Sequence, residues 1–158
     1  MLYIICALKP EAQAFVDKYK LSKSKYNSKI TIIISGIGKE NMFNTTKIIA
    51  KKMTKEDIII NVGICAANKN YEIGQLIDGF KENLTCVDKP ISDSGIYTLV
   101  DMESSGFIDA TKKINNKYIF KVVSDYFEPH MVTKEITKKL IFNTIDDINR
   151  IIFYKDNN

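Results

Sequence analysis

Tryptophan is absent from this sequence, and histidine occurs once, at His130. With no tryptophan and no face that interleaves basic and aromatic residues, nucleic-acid binding is a minority reading. His130 sits in a turn beside Pro129, where an exposed ring outside the chemistry is expected. The three cysteines, Cys6, Cys65 and Cys86, are odd in number and far apart. No Cys-x-x-Cys pair exists, so neither a metal site nor a disulfide framework is expected. Each lies in an apolar, strand-like context, which reads as buried free thiols in a reducing cytosol. Long hydrophobic runs are missing too. Ile32–Ile34 and Ile58–Ile60 are strand-sized, far short of the roughly 20 apolar residues of a membrane helix, so no membrane partner is expected. Met1–Leu8 is apolar, yet it has no basic leader and is too short for a signal peptide. It reads as a buried first strand of a cytoplasmic protein.

What is present is ordinary for a globular chain: 158 residues, 45% hydrophobic, 27% charged, with a formal charge of +4. That length suits one core. We expect a single domain over residues 1–154 and a frayed tail over 155–158. The lysines are scattered, and the pairs Lys51-Lys52, Lys112-Lys113 and Lys138-Lys139 read as solvated helix ends.

Strands and helices alternate along the chain. Tyr3–Leu8 reads as a strand, and Pro10 opens a helix where proline is tolerated. Ile30–Ser35 is rich in β-branched residues and ends at Ser35-Gly36-Ile37-Gly38-Lys39. Met42, Phe43, Thr46, Ile49 and Met53 recur at helical spacing. Asp57–Asn61 is a buried strand bounded by Gly63, followed by a loop from Cys65 to Asn70. Gly74–Asp78 and Leu84–Val87 are short strand candidates. Ile96–Val100 leads into a helix starting near Asp101, and Phe120–Val123 is a strand core. Thr133 is a plausible N-cap for the last helix. Along that helix Ile136, Leu140, Ile141, Ile145, Ile148 and Ile152 form an apolar stripe. The expected class is α/β, a mixed, mostly parallel central sheet flanked by helices.

In open α/β sheets ligands bind beyond the carboxyl ends of the strands. Three acids follow strands at that edge: Glu11, Glu103 and Asp125. Read alone, each has a plain explanation. Asp125 could cap a loop or pair with a lysine, Glu103 could be a first-turn helix acid, and Glu11 after Pro10 is ordinary helix chemistry. Gly36 and Gly38 could serve only the backbone turn.

Taken in order, the segments are similar to a known family. Ile5-Cys6-Ala7-Leu8-Lys9-Pro10-Glu11, Ser35-Gly36-Ile37-Gly38-Lys39 and Asp57-Ile58-Ile59-Ile60-Asn61-Val62-Gly63 come first. Ile73-Gly74-Gln75-Leu76-Ile77, Val100-Asp101-Met102-Glu103-Ser104 and Val122-Val123-Ser124-Asp125 follow. The chain resembles the purine nucleoside phosphorylase and nucleosidase superfamily, and most of all the methylthioadenosine/S-adenosylhomocysteine nucleosidases. It resembles a shortened member, with the loss between Ile77 and Ile96.

The resemblance implies cleavage of the bond between a ribose carbon and a purine nitrogen. Asp125 would be the general acid to the base and Ser124 would orient it. Glu103 would bind the ribose hydroxyls, Met102 would pack against the sugar, and Glu11 would hold the attacking water. Gly63 and Ile64 would fall at the substrate, with Ile64 narrowing the pocket. Lys121 stands where relatives carry an arginine and could position a carboxylate, without the bidentate fork. Lys89-Pro90-Ile91 falls where relatives place a stacking Phe. The partner would be a small-molecule nucleoside, with no cofactor and no metal, and with a homodimer as the expected assembly. A phosphorylase would need phosphate at Gly36 and Gly38, but no arginines accompany that loop, and phosphate is normally held by several strong donors. A catalytically degraded nucleoside-binding protein is the remaining alternative.

Overall fold

Isoleucine is the commonest residue of the sheet. Its branched Cβ restricts χ1 and packs well on a pleated surface. In the computed structural model, which describes residues 1–154, the isoleucine runs form strands. The expected frayed tail, 155–158, lies outside the described residues. In chain order the elements are β1 (Leu2–Cys6), α1 (Lys9–Lys18), β2 (Ile30–Ile34), α2 (Lys39–Ala50), β3 (Ile58–Ala67) and β4 (Leu76–Asp78). Then come β5 (Leu84–Cys86), β6 (Leu99–Asp101), α3 (Ser104–Ala110), β7 (Lys117–Asp125), a 3-10 turn (Pro129–Met131) and α4 (Lys134–Phe153).

All seven strands join one mixed sheet in which β2, β1, β3, β6 and β5 are successive neighbours. β7 pairs with β3 and β4. The β1–β2, β1–β3, β3–β7 and β5–β6 pairs are parallel, while β3–β6 and β4–β7 are antiparallel. Side chains alternate across this sheet, as the period of a strand requires. Ile4, Cys6, Ile60, Val62, Phe120 and Val122 face α1 and α4, where Phe15, Ile141, Ile145 and Ile148 complete the core. Ile5, Ile59 and Ile119 face the other way, onto Met42 of α2 and Phe107 of α3. The two helical layers follow from that alternation.

Several boundaries differ from the sequence reading. β1 stops at Cys6 rather than Leu8, because α1 begins at Lys9. β3 does not stop at Asn61 but runs on through Gly63 to Ala67, since β7 pairs with it beyond that point. The strand expected from Ile96 begins at Leu99. Ile96 itself is 95% exposed, on a turn closed by the Tyr97 amide donating to the Ser94 carbonyl. Helix α3 begins at Ser104, not at Asp101. Thr133 does cap α4, its hydroxyl accepting from the Ile136 amide at 3.2 Å. Ile136, in that first turn, is exposed and leaves the apolar stripe, and Leu140 only edges it. Cys6 and Cys65 are buried free thiols, whereas Cys86 is half-exposed. Among the described residues no helix is long and apolar enough to cross a membrane.

Candidate active site

The sheet has an opening along one side of β3, and the site is built there. β1 pairs with β3 as far as Asn61, and β6 takes over at Ala66. The Ile64 amide falls between the two partners and donates to Glu11 Oε1 at 3.1 Å. Glu11 Oε2 accepts from the Leu8 amide at 2.9 Å. A carboxylate from the first turn of α1 thus satisfies two backbone donors that no strand reaches. Glu11 is 2% exposed, and burial pushes its carboxyl up to about 7. The nearby Lys121 charge and the two amides oppose that rise, and Glu103 adds to it.

Gly63 makes this arrangement possible. A Cβ on it would lie 2.9 Å from Glu11 Oε1 and 3.3 Å from Lys121 Nζ. Lys121 is the register partner of Gly63 on β7. Its side chain is 1% exposed and reaches Asp101 Oδ2 at 2.9 Å and Glu103 Oε2 at 3.9 Å. Burial works against its charge, but Asp101 and Glu103, helped by Glu11, outweigh it and hold the ammonium above its ordinary value. Gly63→Ala is expected to destabilise the fold by about 1–3 kcal/mol, the usual cost of forcing a methyl into a filled interior. Urea denaturation measures it, and an unchanged midpoint would contradict the crowding.

Asp101 also organises the turn that follows it. Its Oδ2 accepts from the amides of Glu103 (3.2 Å) and Ser104 (2.8 Å), and its Oδ1 from the Ser104 hydroxyl at 2.5 Å. Those amides open α3 and would otherwise be orphaned. Gly106 then lets α3 seat on the start of α2, since a Cβ there would meet the Lys39 carbonyl oxygen at 1.9 Å. The contact brings Glu103 to the glycine loop, where its Oε1 accepts from the Gly38 amide at 3.0 Å. Gly38 adopts φ +98, a conformation that side-chain-bearing residues resist.

The third acid closes the group. Ser124 Oγ lies 2.5 Å from Asp125 Oδ1 and 3.2 Å from the Cys65 carbonyl oxygen. Asp125 Oδ2 accepts from the Glu128 amide at 2.8 Å. Glu11, Glu103 and Asp125, together with Met102, Ser124 and Ile64, line one cavity of about 280 Å³. Its apolar walls include Val87, Pro90, Ile91 and Val132. The volume is at the small end for ligand pockets, which run upward from roughly 300 Å³.

Most of the sequence-derived site residues are therefore gathered in one place. Gly63 lies behind the wall, shaping it. Gly36 and Gly38 also stand back, and Ile37 between them faces the cavity. The sequence reading missed how Asp101 joins Lys121 to the Glu103 turn. The resemblance points to Lys89-Pro90-Ile91 at the substrate, and Pro90 and Ile91 do line the cavity, whereas Val87 and Val132 in its wall were missed. Among the described residues no group of His, Cys, Asp or Glu could hold a metal ion.

No protein-family model matches the sequence, and no curated protein matches it. Solved structures do match. The methylthioadenosine/S-adenosylhomocysteine nucleosidase of S. pneumoniae, bound to the transition-state inhibitor MT-ImmA, superposes with a TM-score of 0.76 at 13% identity, over 98% of this chain and 99% of that one. The corresponding nucleosidase of Neisseria meningitidis, in complex with methylthio-immucillin-A, gives 0.75 at 15% identity, over 96% and 97%. Futalosine hydrolase of Helicobacter pylori gives 0.76 at 12% identity, over 96% of each chain. The chain shares the fold of these nucleosidases and of futalosine hydrolase.

Proposed function

We propose that this chain hydrolyses the N-glycosidic bond of a purine nucleoside or thionucleoside. The observation that carries the reading is the convergence of Glu11, Glu103 and the Ser124-Asp125 pair on one cavity of about 280 Å³. As the bond breaks, the sugar becomes cation-like and electron density flows into the base. Asp125 gives a proton to the base nitrogen N7. Ser124 supports this role by position: its hydroxyl lies 2.5 Å from Asp125 Oδ1 and 3.2 Å from the Cys65 carbonyl oxygen, and so orients the carboxyl at the cavity. Glu103 accepts from the ribose hydroxyls, Met102 packs against the sugar, and Glu11 holds and deprotonates water.

Water is favoured over phosphate as the nucleophile. The cavity is lined by Glu11, Asp101 and Glu103, whose carboxylates repel an anion. The Gly38 amide, which could donate to phosphate, is engaged by Glu103. Lys39 beside the loop pairs with Asp88 at 3.0 Å. The single arginine of the sequence, Arg150, pairs with Asp147 on α4. Purified protein is expected to release free base from a methylthio- or unsubstituted purine nucleoside in phosphate-free buffer, as followed by chromatography. Release that depends strictly on added phosphate would defeat the hydrolytic reading.

A pH dependence follows from Glu11. To deprotonate water it must be a carboxylate. Burial has raised its folded value to about 7, so the active form is the minority at pH 6 and the majority at pH 8. The acidic limb of kcat/KM, which reports the free enzyme, is expected to rise through about pH 7. Glu11→Gln should abolish that limb along with most of the rate.

A second reading, a nucleoside-binding protein without turnover, draws on the walls. Val87, Pro90 and Ile91 offer aliphatic contact where an aromatic face would stack on a base. Thermal shift read beside a base-release assay separates the two: a ligand at about 100 times its Kd stabilises by roughly 2.7 kcal/mol with or without chemistry, so stabilisation with no free base supports this second reading and stabilisation with release supports the first.

A further inference from the structure

The chain turns sharply after Asp125, and it does so through an unfavourable conformation. Phe127 has φ +60 and is 5% exposed. The left-handed region suits glycine and tolerates asparagine, but a bulky residue there is an outlier. The other two non-glycine residues with positive φ, Lys20 and Lys25, keep their long side chains in surface loops. Among the described residues Phe127 alone combines the strained backbone with a buried ring. Such strain persists only where the surroundings over-determine it, and it clusters at functional sites.

The neighbours show what the turn achieves. It brings the Glu128 amide onto Asp125 Oδ2 at 2.8 Å, while Ser124 Oγ holds Oδ1 at 2.5 Å. Both oxygens of the carboxyl are thereby fixed, and with them the plane in which it faces the cavity. Tyr126, between the acid and the turn, anchors by donating its hydroxyl to the Tyr71 carbonyl at 2.9 Å. Two and five residues beyond Phe127, Pro129 and Val132 form part of the cavity wall. A glycine at position 127 would remove the strain, but it would also remove the buried anchor.

We propose that Phe127 is a positioning residue: its buried ring locks the left-handed turn that keeps the Glu128 amide on Asp125 and so fixes the orientation of the general acid. This rests on the reading of Asp125 as that acid. Substitution by Leu and by Gly tests it, because side-chain anchorage and backbone ease change in opposite directions along the series. If the ring is the lock, kcat falls in the order Phe, Leu, Gly, with glycine roughly 10- to 100-fold down, the scale of a small misplacement at a reacting centre. KM should stay within about twofold, since the loss belongs to the transition state. Unchanged kcat in Phe127→Gly, or a rise in KM alone, overturns the proposal. If Phe127→Gly does not fold, Phe127→Leu decides by the same split. Hydrogen exchange of the Glu128 amide gives a readout independent of turnover. Its protection should drop in the substituted proteins relative to the amides of β7, and undiminished protection overturns the lock. That measurement holds even if the wild-type chain releases no base, so failure of the nucleosidase reading and failure of the lock can be told apart.

Discussion

Replacing Asp125 with Asn should slow base release by about 10²- to 10⁴-fold, the usual contribution of a positioned acid. The substitution is a clean one. The asparagine side chain keeps an oxygen that can accept from the Glu128 amide, now at 2.8 Å from the carboxylate. It also keeps the shape that fills the space beside Ser124. What it loses is a carboxyl proton to pass to the leaving base. The fold should therefore survive, with an unchanged circular-dichroism spectrum, while initial rates fall. If the rates match those of the wild type, proton transfer to the base does not come from this residue. Binding of a nucleoside should persist in the variant, because Glu103 and Met102, the residues proposed to hold the sugar, are untouched in the cavity lining.

The sequence carried the acids and the sheet better than it carried the connections between them. Glu11, Glu103 and Asp125 were legible because each follows a strand, and strand ends are where open α/β sheets place ligands. The role of the glycine loop was not. Gly36 and Gly38 read as a turn or a phosphate cradle, whereas the Gly38 amide serves Glu103, a residue 65 positions away. Nothing local encodes that pairing. It depends on Gly106 admitting α3 against α2. The length of β3 was misread for a similar reason. A glycine within an apolar run signals a strand end or a close approach, and at Gly63 the close approach of Glu11 and Lys121 is the true cause. Helix α4 shows the complementary limit. Periodicity found Ile141, Ile145, Ile148 and Ile152 correctly but took in Ile136, whose place in the first turn lies beyond the reach of the core.

Lys121→Met should cost about 3–5 kcal/mol of stability, the scale set by stripping one partner from a buried ion pair. Lysine on a central strand looks like an error of pattern until its partners are counted. Its side chain and that of Asp101 are 1% and 0% exposed, and Glu103 is 9% exposed beside them. Removing the ammonium leaves these carboxylates facing each other and Glu11 without a compensating charge. Methionine fills much the same volume, so the loss is electrostatic rather than a cavity. For a domain of this size each kcal/mol moves Tm by about 2–4 °C, so a fall on the order of 10 °C is expected in calorimetry. Adding Asp101→Asn to Lys121→Met should restore part of it, because the lost partner then carries no charge. The restoration is the sharper measurement. A buried pair is often no better than a neutral pair of the same shape, so recovery in the double variant would identify Lys121 as a counter-charge for the site and not a source of stability in itself. No recovery, with the double variant at or below the single one, would mean instead that Asp101 matters through the amides it caps at the start of α3.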